Sequence, residues 1–98
     1  MNKKETSEQH IRFAVIATDV ALFTIKESEL MVRLTRVHRP PHFPNMSGLP
    51  GGLVLPEETA EEAVRRILTT KARVKNGKFY LEQLYTFSEI KRDPRGRV

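Results

Sequence analysis

Leu49-Pro50-Gly51-Gly52-Leu53-Val54-Leu55-Pro56-Glu57-Glu58-Thr59, with the helical stretch that runs on to Ala72, decides how this chain is read. The run reads as a strand, a double-glycine turn, a loop and a capped helix. Gly51 and Gly52 permit backbone conformations closed to other residues and let a ligand approach closely. Thr59 is placed to cap the helix, and Glu62, three residues on, completes a capping box. Ala60, Ala63, Val64, Ile67, Leu68 and Ala72 follow the helical period and form one apolar stripe. A helix leaving such a loop turns its N-terminus toward it, where free N–H groups and the helix dipole favour an anion. A Pro-Gly-Gly run before a helix is, by itself, a weak signal, since most such runs are ordinary turns.

Upstream, Phe13 to Ile25 (FAVIATDVALFTI) is rich in β-branched and apolar residues. It predicts a strand buried on both faces, bent near Thr18-Asp19. Asp19 in this apolar stretch calls for a local hydrogen bond, because an unpaired buried charge is costly. Lys26-Glu27-Ser28-Glu29 is a polar turn. Leu30 to Val37 alternates apolar with polar residues and predicts a half-buried strand, completing a hairpin. His38 to Ser47 contains three prolines and predicts a loop. Downstream, the helix is expected to fray near Arg73 before an Asn76-Gly77 turn. Phe79 to Phe87 (FYLEQLYTF) predicts another strand, and Asp93-Pro94-Arg95-Gly96 a type I or II turn. The chain stops soon after that turn, so the expected sheet is C-terminally incomplete.

Ninety-eight residues suggest one domain with a modest core. Residues 1–10 read as a polar flexible tail and 11–98 as the domain. No apolar run approaches the roughly 20 residues that span a membrane, and the N-terminus lacks the apolar region of a signal peptide. There is no cysteine, which excludes disulfides and thiolate metal sites. A cytoplasmic location is expected. The net charge is +5, and residues 63–98 carry ten basic residues against three acidic ones. Such a segment is either a solvated surface or an attractor of phosphate groups.

The spacing inside the opening run sharpens this. Gly52, five residues, Glu58, seven residues, Arg66 matches the first half of the Nudix box, and Leu49-Pro50-Gly51 and Glu61-Glu62-Ala63 also resemble that family. The resemblance spans about Phe13 to Val98. The tail LEQLYTFSEIKRDPRGRV is similar to the branch with ADP-ribose-type hydrolases and Nudix-related regulators of NAD metabolism. What the resemblance implies is an α/β fold of Nudix type, a mixed β-sheet sandwiched by helices. It also implies cleavage of nucleoside diphosphate derivatives with Mg²⁺ or Mn²⁺ held by helix glutamates. Glu58 and Arg66 are implied to pair and brace the loop against the helix.

The second half of the box departs from the family. Ile67 stands where a glutamate follows the arginine, Thr70 and Lys71 replace the two metal-holding glutamates, and Arg73 replaces the closing glycine. Positions 67, 70 and 71 share one helical face, and that face presents no carboxylate. No metal site and no resident cofactor are therefore expected. The candidate ligand-binding residues are Gly51, Gly52, Arg36, Arg39, Arg66 and Lys71, with the Lys71 ammonium reaching a pyrophosphate where the family places a cation.

Two functions remain open. One is a catalytically inactive or very weak domain that binds a nucleotide-sugar or ADP-ribose-like molecule, as the sensor part of a regulator. The other is a hydrolase with an altered, Mg²⁺- or Mn²⁺-dependent site, in which Glu58 is the surviving catalytic carboxylate. Contact with DNA is expected only through a domain absent from this chain. An incomplete sheet leaves an open edge, so a homodimer is expected.

Overall fold

The computed structural model describes residues 13–75 and 79–98. The expected tail over 1–10 and the Asn76-Gly77 turn lie outside the described residues. Six strands precede one helix: β1 (Ala17–Asp19), β2 (Phe23–Lys26), β3 (Glu29–Val32), β4 (Thr35–Arg39), β5 (Phe43–Gly48), β6 (Gly51–Leu53) and α1 (Ala60–Thr70). The strands pair as β1–β6, β2–β3 and β4–β5, all antiparallel. The described residues thus form a small strand-rich unit with one helix. In place of the single mixed sheet expected, they hold three two-stranded antiparallel sheets.

The long first strand is divided. β1 and β2 are separated at Val20–Leu22, slightly beyond the bend expected at Thr18-Asp19. Val20 is buried, and its N–H donates to the Pro50 carbonyl at 2.8 Å, which extends the β1–β6 ladder by one bond. The polar turn does close a hairpin. Glu27 and Ser28 both take the left-handed conformation, with φ of 52° and 69°, as a two-residue turn whose twist matches its strands requires. All eight residues of β2 and β3 are exposed, so the burial expected of these strands is not found.

His38 to Ser47 is not a loop throughout, because β5 folds back on β4. Pro44 is tolerated there because the register shifts between Val37 and Arg39, and such a bulge leaves residues out of the ladder. Asn45 relieves the bulge with a φ of 54° and donates its N–H to His38 Nδ1 at 3.0 Å. Phe79 to Phe87, expected as a strand, takes no strand pairing among the described residues.

The helix follows its local signals closely. Thr59 accepts from the Glu62 N–H at 3.1 Å, and the Thr59 N–H donates to Glu62 Oε1 at 2.8 Å, forming the capping box. Ala63, Ile67 and Leu68 are buried, and Ala72 joins them just past the helix. Ala60, at the open end of the stripe, is exposed. Ile67 and Leu68 are the largest fully buried apolar side chains, each contributing on the order of 2 kcal/mol through removal from water. Leu22, Val64, Val74, Phe79 and Leu81 pack around this cluster. At its end the helix widens, with the Ala72 N–H donating to the Ile67 carbonyl at 3.3 Å. Arg73 then reverses the chain at a φ of 58°, and the Val74 N–H returns to the Leu68 carbonyl at 2.9 Å. Glycine is the residue best suited to such a left-handed backbone, and here Arg73 adopts it.

Candidate functional site

Gly51 and Gly52 are not a turn. They open β6 and pair with Asp19 and Thr18 of β1. Neither has a positive φ, so close approach and not backbone freedom requires glycine here. A Cβ on Gly51 would lie 2.0 Å from Asp19 Oδ1 and 3.0 Å from the Thr18 carbonyl oxygen. One on Gly52 would meet Lys71 Nζ at 3.3 Å and Ile67 Cδ1 at 3.5 Å.

The orientation of α1 also differs from expectation. Leu53 meets Arg66, Gly52 meets Ile67 and Gly51 meets Lys71. The helix therefore runs back along β6, and its C-terminal turn, not its N-terminus, stands over the glycines. The N-terminal N–H groups of Thr59 and Glu62 are already taken by the capping box. A lysine side chain takes the place expected for the positive end of the helix dipole.

The brace between loop and helix is formed. Arg66 grips Glu58 through Nη2–Oε1 at 2.6 Å and Nε–Oε2 at 3.1 Å, and Nη2 also donates to the Leu53 carbonyl at 2.8 Å. Glu58 Oε1 further accepts the Leu55 N–H at 3.0 Å. These bonds hold the Glu58 carboxyl below its ordinary pKa, with the Arg66 hydrogen bonds the largest cause and the Leu55 N–H the next. Both carboxylate oxygens are thereby engaged in holding the loop.

Beside this brace lies an open cleft of about 1100 Å³. Its floor is β1 and β6 with Asp19, Gly51, Gly52 and Lys71. One wall is the β4–β5 hairpin, with Arg36, His38, Arg39 and Phe43. The other is the C-terminal turn, with Arg92, Asp93, Arg95 and Arg97. Six guanidinium or ammonium groups thus face two carboxylates. Lys71 donates to the Gly51 carbonyl at 2.5 Å. Burial lowers its pKa first, then repulsion from Arg39 and Arg66, while Asp19 pulls the other way. Arg36 is steadied by donating to the Asn45 side chain.

Of the residues singled out from sequence, Arg36, Arg39, Gly51, Gly52 and Lys71 line this cleft together. Glu58 and Arg66 do not line it and serve the brace. Asp19, Phe43, Arg92, Arg95 and Arg97 also line the cleft and are not among the site residues that the sequence points to. The Asp93-Pro94-Arg95-Gly96 turn does form, with the Gly96 N–H donating to the Asp93 carbonyl at 3.4 Å. It reaches the cleft because the Val15 N–H donates to the Arg97 carbonyl at 2.9 Å, which ties the C-terminal segment beside the entry to β1. The excess of positive charge in the last third of the chain was the available signal.

Ile67, Thr70 and Lys71 do not form a site for a divalent cation. Ile67 is fully buried, Thr70 donates its hydroxyl to the Arg66 carbonyl at 2.8 Å, and Lys71 carries a positive charge. Among the described residues no group of three or more His, Asp or Glu is arranged to hold a metal. Among them, too, no helix is long and apolar enough to cross a membrane. No protein-family model, curated protein or solved structure matches the chain.

Proposed function

We propose that this chain is a degenerate Nudix domain that binds a nucleoside-diphosphate-linked ligand, such as ADP-ribose, without cleaving it. The single observation that carries the reading is the position of Lys71. Its ammonium stands over the Gly51 carbonyl at 2.5 Å, on the floor of a cleft that Arg36 and Arg39 also line. One of its three N–H donors is used there, leaving two for phosphate oxygens. A cation built into the chain supplies the charge that neutralises a pyrophosphate and has no means of activating water. The brace of Glu58 and Arg66 supports the same reading, because it commits Glu58 to shaping the loop.

In a regulator, such a domain serves as the sensor, and contact with DNA falls to a separate domain. The wholly exposed β2–β3 ribbon supports a homodimer, since a lone two-stranded hairpin is marginal in water.

The test is calorimetric titration of the protein with ADP-ribose, with and without Mg²⁺. Affinity indifferent to Mg²⁺ and reduced about tenfold or more in Lys71→Ala is the expected result, the size following from loss of a charge-assisted hydrogen bond. Equal affinity of the two proteins would refute the role of Lys71. Release of AMP that requires Mg²⁺ or Mn²⁺ and is lost in Glu58→Gln would establish a hydrolase instead.

A further inference from the structure

Arg95 is held unlike the other cations of the cleft. Asp93 grips it on two sides, with Nε–Oδ1 at 3.0 Å and Nη2–Oδ2 at 2.8 Å, and the Arg95 N–H also donates to Oδ1 at 2.8 Å. Its Cζ lies 5.2 Å from the centroid of the Phe43 ring, so a fixed guanidinium plane is backed by an aromatic face. The Asp93 side chain is 8% exposed, whereas that of Arg95 is 40% exposed. The clamp is thus sheltered and the clamped group open. The two bonds from Nε and Nη2 to Asp93 use two of the five guanidinium N–H groups and fix the plane of an exposed side chain.

We propose that Arg95, clamped by Asp93 and backed by Phe43, is a stacking platform for the planar base of the bound ligand. This rests on reading the cleft as a nucleoside-diphosphate site and adds the end of the ligand that Lys71 does not reach. Phosphate groups alone need charge, whereas a nucleoside also needs a flat, apolar or cationic surface for its base, which a guanidinium stacked on a ring provides. Phe43 supplies the phenyl ring of the cleft lining. The Asp19 carboxylate lines the same cleft as Lys71 and Arg95.

The experiment compares ADP with inorganic pyrophosphate as titrants of the full chain, in native protein, Arg95→Lys and Phe43→Leu. Lysine keeps the charge and removes the plane, and leucine keeps apolar bulk and removes the ring. ADP affinity is expected to fall about tenfold in each variant, the loss of one stacked base, while pyrophosphate affinity stays within about twofold. Equal losses for both titrants, or no loss for either, would overturn the platform and leave the phosphate reading standing. If native protein binds neither titrant, the nucleoside-diphosphate reading itself fails and the platform falls with it. Circular dichroism identifies a variant that does not fold, and the other variant then decides.

Discussion

Lys71 Nζ lies 2.5 Å from the carbonyl oxygen of Gly51, twenty positions earlier in the chain. The contact joins the end of α1 to the start of β6 and brings a positive charge to the strand pair that floors the cleft. It also explains why a lysine at position 71 is compatible with the surrounding backbone: its partner is a carbonyl, which a carboxylate would repel.

Binding through Lys71 predicts a pH dependence. Burial and neighbouring cations hold its pKa below the ordinary 10.5, so the ammonium loses its proton earlier than an exposed lysine would. Affinity for ADP-ribose falls as pH rises through that lowered value. Titrations carried upward from neutral pH locate the decline, and Lys71→Arg, which stays charged throughout, flattens it.

The two glycines differ in what they tolerate. Gly51→Ala forces a methyl group into Asp19 Oδ1 at 2.0 Å and against the Thr18 backbone at 3.0 Å. It destabilises by about 1–3 kcal/mol. Gly52→Ala meets the end of a flexible lysine at 3.3 Å and costs less than Gly51→Ala. Urea denaturation of the pair ranks them, and the reverse order would contradict the β1–β6 register.

Ile67 sits at a position that does not tolerate a carboxylate. It is fully buried within the cluster of Val20, Leu68 and Ala72. Ile67→Ala lowers stability by about 2–5 kcal/mol, a large share of the roughly 5–15 kcal/mol that holds a domain together. Ile67→Glu places an unpaired carboxylate in that cluster and unfolds the protein, read by loss of helical circular dichroism at neutral pH.

The Glu58–Arg66 brace adds an acid-sensitive contribution to stability. The folded-state pKa of Glu58 is lowered from its ordinary 4.5. Its contribution to stability is therefore fully present above that value and is lost as pH falls through the lowered one. Thermal melts of native protein decline across this acid window. Glu58→Gln melts lower at neutral pH and loses less on acidification.

The exposed ribbon predicts self-association. Phe23, Ile25, Leu30, Met31 and Val32 are between 41% and 73% exposed on one hairpin. Light scattering is expected to give twice the monomer mass, and Ile25→Lys, a charge on this apolar surface, to return it to that of a monomer. A native protein that stays monomeric at high concentration would remove the homodimer.

The candidate site was partly legible. Gly52, Glu58 and Arg66 announce themselves by spacing, and the Glu58–Arg66 brace forms between those residues. Arg36, Arg39 and Lys71 were singled out by charge and position, and all line the cleft. Arg95 was read as part of a plain turn. The turn is there, but what gives Arg95 its place is the bond from Val15 to Arg97, across most of the length of the chain. Nothing local to DPRG encodes that bond.

By itself, the sequence determined the helix from Thr59 onward, its capping box, its buried stripe and the Glu27-Ser28 hairpin turn. These depend on residues a few positions apart, and local geometry settles them. Only the tertiary structure decided that α1 runs back along β6, that β5 turns the proline segment into a strand, and that three distant segments line one open basic cleft. Strand pairing is a choice among distant partners with similar apolar patterns. It is settled by which backbones can approach closely, as β1 approaches Gly51 and Gly52, and not by any residue's own preference.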